Sequence, residues 1–347
     1  MTSLKFKNKR LIYLDQTKLP DKEVWVECRS ILQGYKAIKE LKVRGAPLIG
    51  VFASYCICIH IGKLSVKKDI FLKQLKASMD YLSSCRSTAV NLGWALERIW
   101  RKVSETKNSS LARIKESILK EAHLIHKEDI VLCERMSFEG LKLINEGDRI
   151  LTHCNTGFLA TSGCGTALGI IHEAKKQKKN ITVYADETRP LLQGSRLTMW
   201  ELYKNKIKAF LVCDNTAAYL MQKNLIDKVF VGADRIALNA DTANKIGTYN
   251  VAILSKYHKI PFYVVAPSSS FDLCLKSGRD IPIEERSEDE IKKMLGKVYI
   301  TSKNIKAKNL AFDVTPYEFI TAIVTDKGVI YPPFSKNIKR LLWSKKN

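Results

Sequence analysis

At 347 residues the chain is too long for one compact core of ordinary size, and a domain scale of about 150 residues points to two. Hydrophobic residues make up 46% and charged residues 27%, which excludes a disordered or fibrous chain. The 58 basic and 35 acidic residues leave a net charge of +23. The lysines are spread along the whole length without an aromatic-interleaved pattern, so a nucleic-acid partner is not expected, and the charge suits a solvated surface that attracts anionic substrates.

The basic N-terminus MTSLKFKNKR leads into no adequate apolar run and no small-residue cleavage site, so a cytoplasmic location is expected. Residues 10–29, RLIYLDQTKLPDKEVWVECR, carry two short alternating segments around Leu19-Pro20-Asp21 and read as two strands joined by a turn. From Ser30 to about Asn145 the apolar residues recur at helical spacing, as in ILQGYKAIKEL, IFLKQLKASMDYL and AVNLGWALERIW. The apolar stretch LIGVFASYCICIHIG, residues 48–62, falls short of the ~20 residues of a spanning helix and reads as a buried core helix, so no membrane partner is expected.

After Glu146-Gly147-Asp148 short β-rich runs alternate with helical segments: RILTHC, ITVYAD, KAFLVC, KVFVGAD, FYVVAP and AIVTD. The fold class is therefore α/β. A small, mainly helical domain with a short β element is expected over residues 1–146, and a Rossmann-like, doubly wound, mostly parallel sheet over 147–347. Ligands in such sheets bind outside the carboxyl ends of the strands, where Cys154, Asp186, Asp214 and Asp234 stand.

The nine cysteines include no CxxC pair and no histidine cluster lies near them, so neither a disulfide framework nor a metal site is suggested. Cys154 differs from the others. It lies in LTHCNTGFLATSGCGTALG, where a strand runs into a Gly/Thr/Asn turn before an apolar helix, a setting that favours bound anions and thiolates. The residues alone fit a base or nucleophile there as well as a small buried residue at a strand end.

In VFVGADRIALNADTANKIGTYNVAIL, Asp234 ends a strand and Asn244-Lys245 precede a helical pattern, which suits proton transfer beside a bound anion. Taken alone, a turn cap paired with Arg235 is the favoured account of Asp234. ADETRPLLQGSRLTMWEL is dense in polar residues, Gln193 among them, and VRGAPLIG places Arg44-Gly45-Ala46-Pro47 before an apolar helix as a phosphate cradle. Arg86 precedes another helix, with Ser87 or Thr88 as its cap.

VRGAPLIG, STAVNLGWAL, LTHCNTGFLATSGCGTALG, ADETRPLLQGSRLTMWEL, CDNTAAYLM, VGADRIALNADTANKIGTYNVAIL, IPFYVVAPSSSFD and AFDVTPYEFITAIVTDKGV stand in this order over nearly the whole chain. Together they resemble the methylthioribose-1-phosphate isomerase family, which shares its fold with the regulatory subunits of translation-initiation factor 2B and with ribose-1,5-bisphosphate isomerases. The resemblance implies that Cys154 and Asp234 are catalytic, and that Arg44, Gly45, Ala46, Arg86, Gln193, Asn244 and Lys245 bind substrate. It also implies no cofactor, no metal and a homodimer. Ser87 stands where the family usually has proline, and Ala240 where it has glycine. Neither change removes a chemical group.

The implied reaction converts 5-methylthioribose 1-phosphate to 5-methylthioribulose 1-phosphate in methionine salvage. Phosphate on the anomeric oxygen blocks ordinary ring opening, so an acid, Asp234, is expected to protonate the ring oxygen while a base, Cys154, takes the C2 proton. A hydride shift from C2 to C1 is the rival route. The alternatives are an isomerase of 5-deoxyribose 1-phosphate or ribose 1,5-bisphosphate, and a non-catalytic protein like the translation-factor subunits.

Overall fold

The computed structural model describes residues 2–86 and 90–343, and the elements below are those of the described residues. The chain divides into two compact units. One comprises Met1–Leu132 with Phe158–Gly163, the other Cys133–Gly157 with Cys164–Asn347.

The first unit opens with an antiparallel sheet of β1 (Leu4–Lys7), β2 (Arg10–Leu14) and β3 (Trp25–Cys28), in that order. The two strands expected within residues 10–29 are present, and β1 is an addition. Its lysines alternate with the inward Leu4 and Phe6, so a half-buried strand reads in sequence as a basic run. The β1–β2 connection is Asn8-Lys9, both at positive φ (51° and 58°), a two-residue hairpin turn without the usual glycine to announce it.

Five helices follow: α1 (Ile31–Lys39), α2 (Ala46–His60), α3 (Lys68–Ser83), α4 (Val90–Thr106) and α5 (Leu111–Leu141). The hydroxyl of Ser30 caps α1 by accepting from the Gln33 N–H. The stretch Ala46–Lys63 is long and apolar enough to cross a membrane by composition, yet 67% of it is buried inside the protein. It is the central helix of this unit, and Phe52, Tyr55 and Ile57 on α2 are all but fully buried.

A side chain at Gly50 of α2 would come within 2.7 Å of the Asn91 carbonyl on α4. The two helices therefore approach closely near their N-terminal ends. Glycine at position 50 is what allows it.

The second unit is built on a seven-stranded sheet in the order β16-β15-β10-β7-β4-β5-β6. Its strands are β4 (Arg149–Thr152), β5 (Thr182–Asp186), β6 (Ala209–Val212), β7 (Lys228–Val231), β10 (Phe262–Val265), β15 (Ala322–Thr325) and β16 (Gly328–Ile330). All six β-rich runs read from the sequence are strands here and pair in parallel, with β16 antiparallel at one edge. The intervening helices include α6 (Ala167–Lys176), α7 (Met199–Lys204), α8 (Thr216–Gln222) and α9 (Thr248–Tyr257).

A second sheet, unforeseen in the sequence, joins β8 (Arg235–Ala237), β9 (Thr242–Lys245), β11 (Phe271–Asp272) and β14 (Phe312–Thr315) in the order β11-β8-β9-β14. The remainder is a short helix α10 (Asp289–Lys292), a small hairpin of β12 (Lys293–Met294) and β13 (Val298–Tyr299), and α11 (Phe334–Ile338).

The segment Phe158–Gly163 is held in the first unit by polar contacts. Gln16 donates to the Leu159 carbonyl at 2.7 Å, and the Ser162 N–H donates to the Asp129 carboxylate at 2.6 Å. Burial pushes the Asp129 carboxyl up to about 6, with the Ser162 N–H pulling the other way. A carboxyl raised on folding contributes stability below its unfolded value of about 3.9, and that stability is lost as the pH rises to about 6. The stability of Asp129→Asn relative to the natural chain is therefore expected to improve by about 2–3 kcal/mol between about pH 4 and about pH 7, measured by urea unfolding. A difference that stays constant with pH would refute this.

Candidate active site at the carboxyl ends of the strands

The order of strands reverses between β4 and β7. From β4 the chain builds outward through β5 and β6, then returns to the other side of β4 with β7 and continues through β10 and β15. Crevices for ligands open at such a reversal, outside the carboxyl ends of the two strands. Cys154 follows β4 and Asp234 follows β7, and β4 and β7 are parallel neighbours, with Leu151 opposite Val229. Adjacent strands lie about 4.8 Å apart, so the two sequence-proposed catalytic residues emerge side by side at one edge of one sheet.

Cys154 is 8% exposed and sits at φ 65°, an uncommon conformation for any residue but glycine. Its N–H donates to the Thr188 hydroxyl at 2.9 Å, and its carbonyl accepts from the Thr198 hydroxyl at 2.6 Å. Thr188 and Leu192 also have positive φ (64° and 57°). Three such residues in one locality are a mark of a functional site, where surrounding contacts hold the backbone against its preference.

The sequence placed Cys154 on a Gly/Thr/Asn turn before an apolar helix, and in the structure that turn is a long loop. The first helical residue is Ala167. Between them the chain folds back so that Gly157 and Gly165 bridge, the Thr166 N–H donates to the Thr156 carbonyl, and the Leu168 N–H is taken by the Thr156 hydroxyl at 3.2 Å. That helix start is capped by its own loop. Gly157 is required because a side chain there would strike the buried Glu201 carboxylate, which accepts from Asn155 at 2.9 Å.

Asp234 is half-buried, and its N–H donates to the Ala243 carbonyl at 2.9 Å. The β8–β9 hairpin thereby sets it beside Asn244 and Lys245, which the sequence had placed just before a helix. Arg235 reaches Asp272 at 3.3 Å, and among the described residues the Asp234 carboxylate has no hydrogen-bond partner. Asn244 donates to the Thr248 hydroxyl at 3.0 Å, and Lys245 donates to the Ala311 carbonyl at 2.6 Å over the ring of Phe312. The turn of this hairpin holds Ala240 at φ 80°, which explains the glycine usual at this position.

Gln193 opens a π-helical turn, Gly194–Thr198, ahead of α7. It is 6% exposed, and its Oε1 has no hydrogen-bond partner among the described residues. Irregular turns of this kind recur at functional sites.

Arg44, Gly45, Ala46 and Arg86 lie in the first unit. Arg44–Ala46 lead into α2 and Arg86 precedes α4, and the Gly50–Asn91 contact shows that these two helices begin at the same end. The partial positive charges of both helix starts converge there. The cradle is in part filled by the chain itself, because the Leu48 N–H donates to the Ala160 carbonyl and Pro47 has no N–H to offer. A methyl on Gly45 (φ 92°) would approach the Ala160 backbone to 2.4 Å. Ser87 and Thr88, the expected caps of α4, lie outside the described residues, and so does the Ser87 departure.

The sequence also missed His153. Its Nδ1 lies 3.0 Å from the Asp186 carboxylate and its Nε2 lies 2.9 Å from the Ile246 carbonyl. Burial lowers its affinity for a proton, but the Asp186 hydrogen bond and charge, with help from Asp214 and the Ile246 carbonyl, outweigh burial and leave the pKa raised. A histidine directly before Cys154 and an aspartate ending the next strand were the available signals.

The donor atoms of His153, Asp186 and Asp214 fall within 4.8 Å of one another, close enough for a metal ion. Most of those donors are already engaged, although Asp186 Oδ1 has no hydrogen-bond partner among the described residues. Both imidazole nitrogens have partners, and the two Asp214 oxygens each accept a backbone N–H, from Thr188 and Arg189. The cluster is a hydrogen-bond network that shapes the turn before Gln193.

Residues 42–332 match the model of the initiation factor 2 subunit family. Over 341 residues, 98% of this chain and 99% of the relative, the sequence is 50% identical to a methylthioribose-1-phosphate isomerase of Caldicellulosiruptor saccharolyticus. The chain belongs to the methylthioribose-1-phosphate isomerase family. A crystal structure of 5-methylthioribose 1-phosphate isomerase from Pyrococcus horikoshii superposes with a TM-score of 0.92 at 41% identity, covering 99% of this chain and 96% of that one. A structure titled translation initiation factor eIF-2B, subunit delta, from A. fulgidus superposes at 0.87 with 42% identity and 99% of both chains covered. The mixed α/β architecture with a mostly parallel central sheet is thus the architecture of the family.

Gly194 ties the π turn to the end of β5, since a side chain there would lie 1.6 Å from the Asp186 carbonyl. Gly194→Ala is expected to cost about 1–3 kcal/mol of stability through forced overpacking, read as a lowered thermal midpoint. An unchanged midpoint would show that the turn gives way freely.

Proposed function

We propose that this chain is an aldose–ketose isomerase that converts 5-methylthioribose 1-phosphate to 5-methylthioribulose 1-phosphate, with Cys154 and Asp234 as its base and acid. The observation that carries the reading is full-length identity of 50% to a relative named for this reaction, in a chain whose cysteine and aspartate end the two strands at the reversal of the sheet.

In this mechanism the Cys154 thiolate removes the proton from C2. The C2–H electrons form a C1=C2 double bond as the C1–O4 bond breaks, and O4 takes the proton of Asp234. The resulting enol returns its hydroxyl proton to Asp234, while the Cys154 thiol protonates C1. Both residues end as they began. Arg44, Arg86 and Lys245 hold the phosphate, with backbone N–H groups at Gly45 and Ala46, and Gln193 and Asn244 orient the sugar. No metal or cofactor enters the steps.

The finer features of the reading follow the same line. The catalytic half is a Rossmann-like, doubly wound domain beginning near residue 147, behind a mainly helical domain of residues 1–146, and the enzyme works in the cytoplasm within methionine salvage. A homodimer is supported by the edge strand β6, which leaves Phe210 and Leu211 about half exposed, an apolar edge that a second copy would cover. The likeness to a structure titled for a translation initiation factor supports one competitor, a non-catalytic assembly protein.

The test is ketose formation from ribose 1-phosphates carrying methylthio, hydrogen or phosphate at C5, with fastest turnover expected for methylthio. No turnover of any of them would favour the non-catalytic protein. Cys154→Ser and Asp234→Asn are each expected to lower kcat by about a hundredfold to ten-thousandfold with the circular dichroism unchanged. Solvent deuterium is expected at C1, whereas full transfer of C2 deuterium to C1 would replace the enol by a hydride shift.

A further inference from the structure

His153 touches three segments of the site at once. Its backbone joins the end of β4 to Cys154. Its Nδ1 meets Asp186 at the end of β5, and its Nε2 meets the carbonyl of Ile246, the residue after Lys245. The side chain is 1% exposed and Asp186 is fully buried. On the far side, a methyl at Gly247 (φ 101°) would come within 2.9 Å of the imidazole Cε1, so glycine lets the turn after β9 lie flat against the ring.

The hydrogen-bond chemistry fixes where protons must be. A carbonyl oxygen only accepts, so Nε2 must carry a hydrogen. Nδ1 faces a carboxyl group, and that contact holds one proton, either on the nitrogen or on the oxygen. With the proton on nitrogen, His153 is an imidazolium that donates in both directions.

Three carboxylates face it: Asp186 at the end of β5, Asp214 after β6 and Asp313 on β14. Asp214 accepts two backbone N–H groups, from Thr188 and Arg189, and Asp313 also accepts two, from Gly247 and Tyr249. At Asp313 burial carries the carboxyl up to about 6 while the two N–H groups pull it down, and at Asp186 burial raises a carboxyl that the His153 hydrogen bond pulls down. On the imidazole, burial is outweighed by the hydrogen bond and charge of Asp186 with the charge of Asp214, which favour the second proton.

We propose that His153 is a positioning residue, an imidazolium whose Nε2–H ties the Cys154 turn to the backbone just after Asn244–Lys245 and whose Nδ1–H ties it to Asp186, on which its second proton depends. The role of the clamp in turnover rests on the isomerase reading above. Its protonation and its two hydrogen bonds do not.

Without the Asp186 charge the ring is expected to lose a proton, and its Nδ1 arm weakens from a charge-assisted bond to a neutral one with the asparagine amide. Asp186→Asn should then behave like His153→Gln, which keeps a side-chain amide donor for Ile246 but carries no charge. Both variants loosen a base and a substrate-binding strand together, so both are expected to lower kcat and raise KM, each by about tenfold or more. A residue needed only for folding would instead lower the thermal midpoint and the active fraction while leaving KM as it was.

The deciding experiment is nitrogen NMR of the natural, histidine-labelled protein across the neutral range, with the His153 ring assigned by its loss in His153→Gln. The expected result is a ring protonated at both nitrogens throughout, and a neutral ring with one signal moved in Asp186→Asn. A neutral His153 in the natural protein at neutral pH would overturn the proposal, and so would an unchanged KM in both folded variants of an active enzyme. Should neither variant fold, neutron diffraction from crystals of the natural protein locates the same two hydrogens. If the natural protein turns over none of the sugar phosphates, the isomerase reading fails while the NMR result still decides the state of the clamp.

Discussion

The parallel pairing of β4 with β7 is the constraint from which the site follows. These two strands are buried along nearly their whole length, and the Thr152 hydroxyl donates to the Phe230 carbonyl at 2.8 Å between them. At their amino ends Arg149 grips Asp227 through two side-chain hydrogen bonds of 2.7 and 2.8 Å, and Lys228 pairs with Asp148 in a buried contact. The register is thereby fixed at one end by ion pairs. The other end is left open to chemistry, because the crossovers leave β4 and β7 in opposite directions and a crevice opens outside the carboxyl ends of such a pair.

What happens at those carboxyl ends is a trade of backbone comfort for position. Residues held at positive φ cost of order 1–3 kcal/mol each, and Cys154, Thr188 and Leu192 all stand there. Hydrogen bonds that Cys154 gives to the Thr188 hydroxyl and takes from the Thr198 hydroxyl, and that Thr188 gives to the Asp214 carboxylate, offset that cost locally. The same contacts leave the cysteine one place to sit. In the proposed role of Cys154 as base such fixity would matter, since misplacement by about 1 Å can cost a hundredfold in rate.

The first unit answers with a different device. α2 and α4 start at the same end, where they approach closely through Gly50. Two converging dipoles favour negative charge at that end. This unit also holds Phe158–Gly163, the continuation of the turn that begins at Cys154. One stretch of chain thus belongs to both units.

The sequence by itself determined the repeating elements. Six β-rich runs and the long amphipathic helices were legible because burial imposes a period on neighbouring residues, and a period survives in one dimension. Cys154 and Asp234 were legible as strand-end residues for the same reason, and their place in an ordered set of family motifs raised them above other residues of their kind. Strand β1 escaped because lysines fill its outer face, and the β8–β9 hairpin because its TANK strand is held by partners far along the chain, Phe312 to Thr315. Only the tertiary structure decided that the sheet reverses between β4 and β7, that α6 is capped by its own loop, and that His153 joins Asp186 to Ile246. The reversal and the His153 contacts join residues dozens of positions apart, and the α6 cap joins residues 12 apart through an irregular loop. None of these leaves a local period, and neither do backbone angles that a threonine or a leucine gives no sign of adopting.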